Sequence, residues 1–217
     1  MKDKSFFLAV IISLSPSLLR SASVTAEAGN IFLVGAEGKR TQLTKEGVDC
    51  EPAVAPNGKL IVFVRRTSLA SIAAGSGEQE ANELWRIDSS GRNAHRIVRA
   101  RASADMKEVL AGLSSPVFSP DSKIVYFLSV AWATSNAVHS VDLDSQHIRF
   151  VVAGNSLELV PSGRFSGDLI VQQHRYWLGG GSYDWFWLFD PAGKELGAIG
   201  EDFGLANFRE TYMGDAK

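Results

Sequence analysis

SPVFSPDSKIVYFL, running from Ser115 to Leu128, is the stretch that decides the fold. Pro120 presets φ at the first corner of a tight turn. Asp121 tolerates the next corner and caps it with its carboxylate, and Ile124 to Leu128 then leaves as an apolar strand. A second copy, EPAVAPNGKLIVFV, lies at Glu51 to Val64 with a constant offset of 64 residues. Pro52 falls on Pro116, Pro56 on Pro120, Asn57 on Asp121, Lys59 on Lys123 and Phe63 on Phe127. The two phenylalanines are expected to be buried in inner or middle strands.

Working outward, each copy is preceded by a strand that ends in a glycine-containing hairpin turn: IFLVGAEGK at Ile31 to Lys39 and LWRIDSSGR at Leu84 to Arg92. The same unit recurs as VHSVDLDSQ from Val138 and as WFWLFDPAGK from Trp185. Taken between Val34, Ile87, Val141 and Phe189, the four starts are 53, 54 and 48 residues apart. Repeats of about 40 to 50 residues built from short strands are the signature of propeller blades. About 190 residues from Gly29 onward make about four blades at roughly 45 residues each. The fold class is therefore all-β, with β-propeller-like repeats of four-stranded blades, either about four in a ring or an incomplete propeller. An open arc leaves sheet edges and faces exposed, so self-association is a possible consequence.

SPVFSPDSKIVYFL, together with the strand, DSSG turn and return strand that precede it, resembles the TolB-like β-propeller repeat, whose core reads roughly P-x-F-S-P-D-G-x-x-I-x-F. The resemblance covers Gly29 to Val130 well. In the first copy Ala55-Pro56-Asn57-Gly58 stands for Ser-Pro-Asp-Gly, and in the third only Val160-Pro161-Ser162-Gly163-Arg164 survives. It implies a periplasmic or secreted binding propeller, of a repeat type that also supplies non-catalytic propellers to certain peptidases.

Composition agrees with a single globular core. The chain has 217 residues, 45% hydrophobic and 21% charged, with 22 Lys and Arg against 24 Asp and Glu. Such a balance excludes a basic nucleic-acid binder. One cysteine, Cys50, excludes an internal disulfide framework; between Asp49 and Glu51 it reads as an inert thiol. Lys2 and Lys4, the apolar block Phe6 to Leu14 and small residues from Ser21 onward have the layout of a secretory signal. Ser13 interrupts that block and Ser15 and Pro16 follow it, and it is shorter than the roughly 20 residues a bilayer span requires. Residues 1–26 are thus expected to be a cleaved signal peptide, with the mature chain beginning at Glu27 or Gly29. The propeller domain is expected over 29–217, without a permanent membrane span.

Between the repeats, Thr67 to Asn82 reads as a solvated loop, and Val98 to Ser114 as a short helix or a strand with a long connector. Arg96, Arg99 and Arg101 read as part of a solvated face. The most distinctive stretch is HRYWLGGGSYDWFWLF, His174 to Phe189. Trp185 to Phe189 is apolar on both faces of a strand, as for an element covered on both sides. Tyr176, Trp177, Tyr183 and Asp184 instead flank a Gly179-Gly180-Gly181 turn. Aromatic side chains with polar tips, held on a loop of a rigid scaffold, suit recognition. These four are the candidate binding residues for a protein or glycan partner.

No G-x-S-x-G elbow, calcium loop or phosphate-cradling glycine loop occurs, and His139 with His147 makes a weak zinc pair without a third ligand. The expectation is a non-catalytic module with no catalytic residues, metal or cofactor. The alternatives are a propeller-type enzyme or accessory module acting on glycans or peptides, and a half-propeller that functions on self-assembly.

Overall fold

The computed structural model describes residues 23–35, 37–68, 71–74 and 77–214. A three-stranded sheet comes first: β1 (Ser23–Glu27), β2 (Asn30–Val34) and β3 (Arg40–Gln42). Next are β4 (Asp49–Val54) and β5 (Leu60–Arg65), then a separate hairpin of β6 (Ile72–Ala74) and β7 (Gly77–Gln79). Two further strands, β8 (Glu83–Asp88) and β9 (His95–Val98), complete a second sheet in the order β4-β5-β8-β9. β10 (Ser114–Phe118), β11 (Ile124–Ser129), β12 (Ala137–Asp142) and β13 (Ile148–Ala153) form the third sheet. β14 (Glu158–Leu159), β15 (Leu169–Tyr176), β16 (Ser182–Phe189) and β17 (Glu195–Gly200) form the fourth, and helix α1 (Asp202–Tyr212) follows. Neighbouring strands within each of the four sheets are antiparallel.

All four expected starts are the outer hairpins of these sheets. The N–H groups of Gly35, Asp88, Asp142 and Asp190 donate to the carbonyls of Lys39, Arg92, His147 and Lys194 at 2.9, 3.0, 3.0 and 2.9 Å. Each turn holds a left-handed residue, at Gly38, Gly91, Gln146 and Gly193. At Gly193 a side chain is doubly excluded, because a Cβ there would overlap the Val151 carbonyl of the neighbouring sheet. The proline turns also recur: Ala55 N–H reaches Leu60 O and Ser119 N–H reaches Ile124 O, both at 2.8 Å. Asn57 Oδ1 and Asp121 Oδ1 cap them by accepting from Lys59 and Lys123 N–H.

Successive sheets pack face to face, β1 on β4, β4 on β10 and β10 on β14. Because sheets cover both faces of β5 and β11, these strands read as unbroken apolar runs rather than alternating ones, and Phe63 and Phe127 are fully buried. One apolar cluster joins Ile31 and Leu43 of the first blade to Ile61 and Phe63. A second joins Val62 and Leu84 to Phe118 and Phe127, and a third joins Tyr126 and Val138 to Leu169 and Phe189.

Four features differ from the sequence reading. First, blade one has three strands among the described residues, and its β1 pairs with β2 around an Ala28-Gly29 turn with φ of +49° and +72°, the signs of a tight hairpin. The cut expected after Ala26 lies within β1; residues 1–22 lie outside the described residues. Second, the segment between Thr67 and Asn82 holds the β6–β7 hairpin, because Ile72 and Ala74 find an apolar surface on Met106, Val109 and Ala111. Third, of the two alternatives for Val98 to Ser114 the described backbone follows the second, a connector leaving β9, with no helix. Asp105 accepts from Lys107 N–H and Ser103 Oγ accepts from Asp105 N–H, local bonds that compete with helix, and Arg101 pairs with Leu110 as a bridge. Arg96, just before this segment in β9, is ion-paired with Glu83 at 2.8 Å.

Fourth, α1 covers the outer face of the last sheet, the position another blade would take. Leu205 of α1 packs with Val160, Ile170 and Leu188, and Phe165, Phe186 and Phe208 surround them. The approach is close enough that a Cβ at Gly204 would overlap the Ile199 carbonyl. Arg209 closes the contact with a forked hydrogen bond to Glu158.

Candidate binding hairpin

β15 and β16 pair over eight rungs, from Leu169 opposite Phe189 to Tyr176 opposite Ser182. Gln173 Nε2 donates to the carbonyl of Ala153, the last residue of β13, at 2.6 Å. Beyond that rung the hairpin runs on to its tip. There Trp177 N–H donates to Gly181 O and Gly180 N–H to Trp177 O, both at 3.0 Å. Gly180 and Gly181 take φ of +96° and +85°, so the turn depends on glycine. Leu178 is fully exposed at the tip, with Tyr176 67% and Trp177 51% exposed.

Strand alternation divides the four expected residues between two sides. Trp177 and Tyr183 lie together with rings stacked at 4.1 Å, and Trp185 closes edge-on against both, at 5.9 and 5.0 Å. Trp187 continues the row, 6.4 Å from Trp185. Arg175 lies over the Trp187 ring at 3.5 Å and is held by Gln173 Oε1 and by Glu195 Oε2 at 2.6 Å. Tyr176 and Asp184 are on the other side, gathered by His174, whose Nδ1 is 2.9 Å from Asp184 Oδ1 and whose ring meets Tyr176 edge-on. The sequence reading thus missed Gln173, Arg175, Trp185 and His174 as members of the site. Counting alternate residues back from the glycine turn would have found them.

The row offers flat apolar ring faces beside planar polar groups already fixed in place. Arg175 and Glu195 neutralise each other, so the ladder side carries no unpaired charge among its named members. Trp187 is half-buried, not fully buried, and its Nε1 has no hydrogen-bond partner.

His139 and His147 do not converge as ligands. His139 is buried with both ring nitrogens engaged, Nδ1 by Ser129 Oγ at 3.0 Å and Nε2 by Lys107 O at 2.8 Å, while His147 is exposed. Among the described residues no group of three His, Cys, Asp or Glu could hold a metal ion. Burial pushes the half-buried Cys50 thiol above its ordinary pKa, the direction of an inert thiol.

Larger solved proteins are similar to this chain in fold. Dipeptidyl peptidase 4 from Porphyromonas gingivalis superposes with a TM-score of 0.56 at 12% identity, over 83% of this chain and 31% of that one. TolB from Acinetobacter baumannii gives 0.54 at 16% identity, over 82% and 40%. The fold is a TolB-like β-propeller. The β-propeller domain of the trilobed protease from Pyrococcus furiosus gives 0.52 at 14% identity, over 79% and 48%. The propeller described here spans less than half the length of each of these chains. No family model and no curated protein matches the sequence. Among the described residues no helix is long and apolar enough to cross a membrane.

Proposed function

We propose that this propeller is an exported binding module without catalysis of its own, and that it engages its partner through the β15–β16 hairpin. The observation that carries the reading is the row Trp177, Tyr183, Trp185, held on a hairpin whose tip is exposed. Tyr176 and Asp184 complete the rim on the other side. Large aromatic side chains with few rotatable bonds are the usual anchors of recognition surfaces, and these are fixed before any ligand arrives. Export is supported by the basic, apolar and small-residue order at the start of the chain.

Self-assembly into a ring is the weaker reading, because α1 occupies the face of the last sheet that a further blade would need. The accessory reading keeps one point in its favour: similar propeller folds occur in a dipeptidyl peptidase and a trilobed protease.

Capture from an envelope extract, run beside thermal melts of the same proteins, tests the proposal. Trp177→Ala and Tyr183→Ala are expected to keep the melting temperature and weaken capture about tenfold or more, as for interface anchors. Trp187→Ala is expected to lower the melting temperature, since Trp187 packs beside Val171 and Phe189. Equal destabilisation by Tyr183→Ala and Trp187→Ala, with no selective loss of capture, would remove the site.

A further inference from the structure

We infer that the ligand of this hairpin is an uncharged glycan chain, laid along the Trp177, Tyr183, Trp185 row with its hydroxyl rim toward Gln173, Arg175 and Glu195. The inference rests on the binding reading above and narrows it to one ligand class.

The first support is shape. Tyr183, Trp185 and Trp187 are alternate residues of β16 with ring centroids 5.0 and 6.4 Å apart, and Trp177 stacks on Tyr183 at the tip end, so the aromatic surface runs along one strand and suits a linear polymer. A hairpin is only two strands, about 10 Å, wide, whereas a stable protein partner usually covers about 800 Å² on each side. The second support is chemistry. A sugar ring presents apolar C–H faces and a rim of hydroxyls, and the site presents the complement: aromatic faces in a row and, beside them, an amide, a guanidinium and a carboxylate. Gln173, Arg175 and Glu195 are locked to one another at 2.5 to 2.8 Å, so little side-chain freedom is lost on binding. The third support is charge. Arg175 is matched by Glu195, which leaves nothing to draw a polyanion, and a nucleic-acid strand or an acidic glycan needs a cationic track that this face lacks.

An extended proline-rich peptide is the competing chain-like ligand, since it also docks on aromatic rows.

Intrinsic tryptophan fluorescence and calorimetry on the exported full chain decide between them, with cellohexaose and chitohexaose as neutral probes. Hexagalacturonate serves as the acidic probe and a proline-rich decapeptide as the peptide probe. One or both neutral hexasaccharides are expected to bind and shift the emission, with the matching disaccharide at least tenfold weaker because it spans fewer rings. Trp177→Ala is expected to lose at least tenfold, Trp177→Phe to keep most of the affinity, and Tyr176→Ala to lose less than Trp177→Ala. Arg92→Ala, on the distant β8–β9 turn, is the control for folding. Preference for the hexagalacturonate or the decapeptide, or a larger loss from Tyr176→Ala than from Trp177→Ala, overturns the inference. If neither neutral probe binds while envelope capture still depends on Trp177, the glycan assignment falls and the binding site stands. If capture is independent of Trp177 as well, the binding site falls with it.

Discussion

Ser115 donates its backbone N–H to Glu51 Oε2 at 2.5 Å, and these two residues, 64 apart, hold the same left-handed backbone, with φ of +51° and +47°. Each sits where its strand pair slips register, between Cys50 and Ala53 in one blade and between Ser114 and Val117 in the next. The repeat therefore preserves a strained bulge as well as a proline turn, and a carboxylate from one copy satisfies the amide that the bulge frees in the other.

Glu51→Ala removes that acceptor at an exposed site and keeps a β-carbon in the left-handed region, so it should destabilise by about 0.5 to 1.5 kcal/mol. Glu51→Gly loses the same acceptor but relieves backbone strain of about 1 kcal/mol, and should recover part of the difference. Urea unfolding of the three proteins checks this. Identical midpoints for the alanine and glycine variants would show that the bulge holds no strain.

His139 ties stability to pH. Burial lowers its pKa from 6.5, against the opposing hydrogen bond to Lys107 O, so the folded state holds the ring neutral. Below pH 6.5 the unfolded chain takes up the proton first, and stability declines as the pH falls from there toward the depressed folded value. Above 6.5 both states are neutral and the effect vanishes. Melting temperatures between pH 5 and 8 should show this acid-side slope in the wild type and a shallower one in His139→Gln. An unchanged slope in the variant would assign the acid sensitivity elsewhere.

Pro56, Pro120 and the four outer turns were legible because turn chemistry is local: fixed φ, a capping Asn or Asp, and usually a glycine dictate the backbone wherever the segment lies. Burial of Phe63 and Phe127 was legible for a related reason, since a run apolar on both faces needs two covers. The division of the hairpin was harder to see, because Tyr176 and Trp177 are adjacent in sequence yet project to opposite sides, with a glycine turn between them and Tyr183. α1 escaped because only Leu205 is buried along it, Gly204 weakens it, and its apolar stripe has meaning only against Ile170 and Leu188. Strand β1 escaped because its residues, Ser23 to Glu27, also satisfy the small-residue pattern of a processing site.

That overlap at β1 gives a prediction about export. Val24 packs with Leu33 against the Ile31, Ile61 and Phe63 cluster, and Arg40 is paired with Glu27 across the sheet at 2.5 Å. Processing after Ala26 would remove most of β1 and leave β2 as a sheet edge. If the protein is exported with its first blade retained, intact-mass analysis of the processed chain should read an N-terminus at or before Ser23. A start at Glu27 or Gly29 would mean that the working protein lacks β1, and an unprocessed Met1 confined to the membrane fraction would contradict signal cleavage altogether.

The last prediction concerns α1 as a lid on the final sheet. Ending the chain at Gly200 would uncover Val160, Ile170 and Leu188, each no more than 4% exposed in the intact protein, on a face shaped to receive another element. Uncovered apolar faces of stacked repeats associate unless a polar outer layer seals them, which is why terminal units of such arrays are capped. Light scattering after gel filtration should therefore find the intact chain monomeric and the truncated chain dimeric or larger. Leu205→Ala should leave the intact chain monomeric while costing about 2 to 5 kcal/mol of stability, because Leu205 is buried at the centre of the contact. Arg209→Ala should cost under about 1 kcal/mol, since its ion pair with Glu158 faces solvent. The order of the two substitutions tests the physical claim: the lid is held by apolar burial, with the ion pair fixing its orientation. A truncated chain that remains monomeric at an unchanged melting temperature would show that the fourth sheet needs no cover, and would return ring closure by a second copy to consideration.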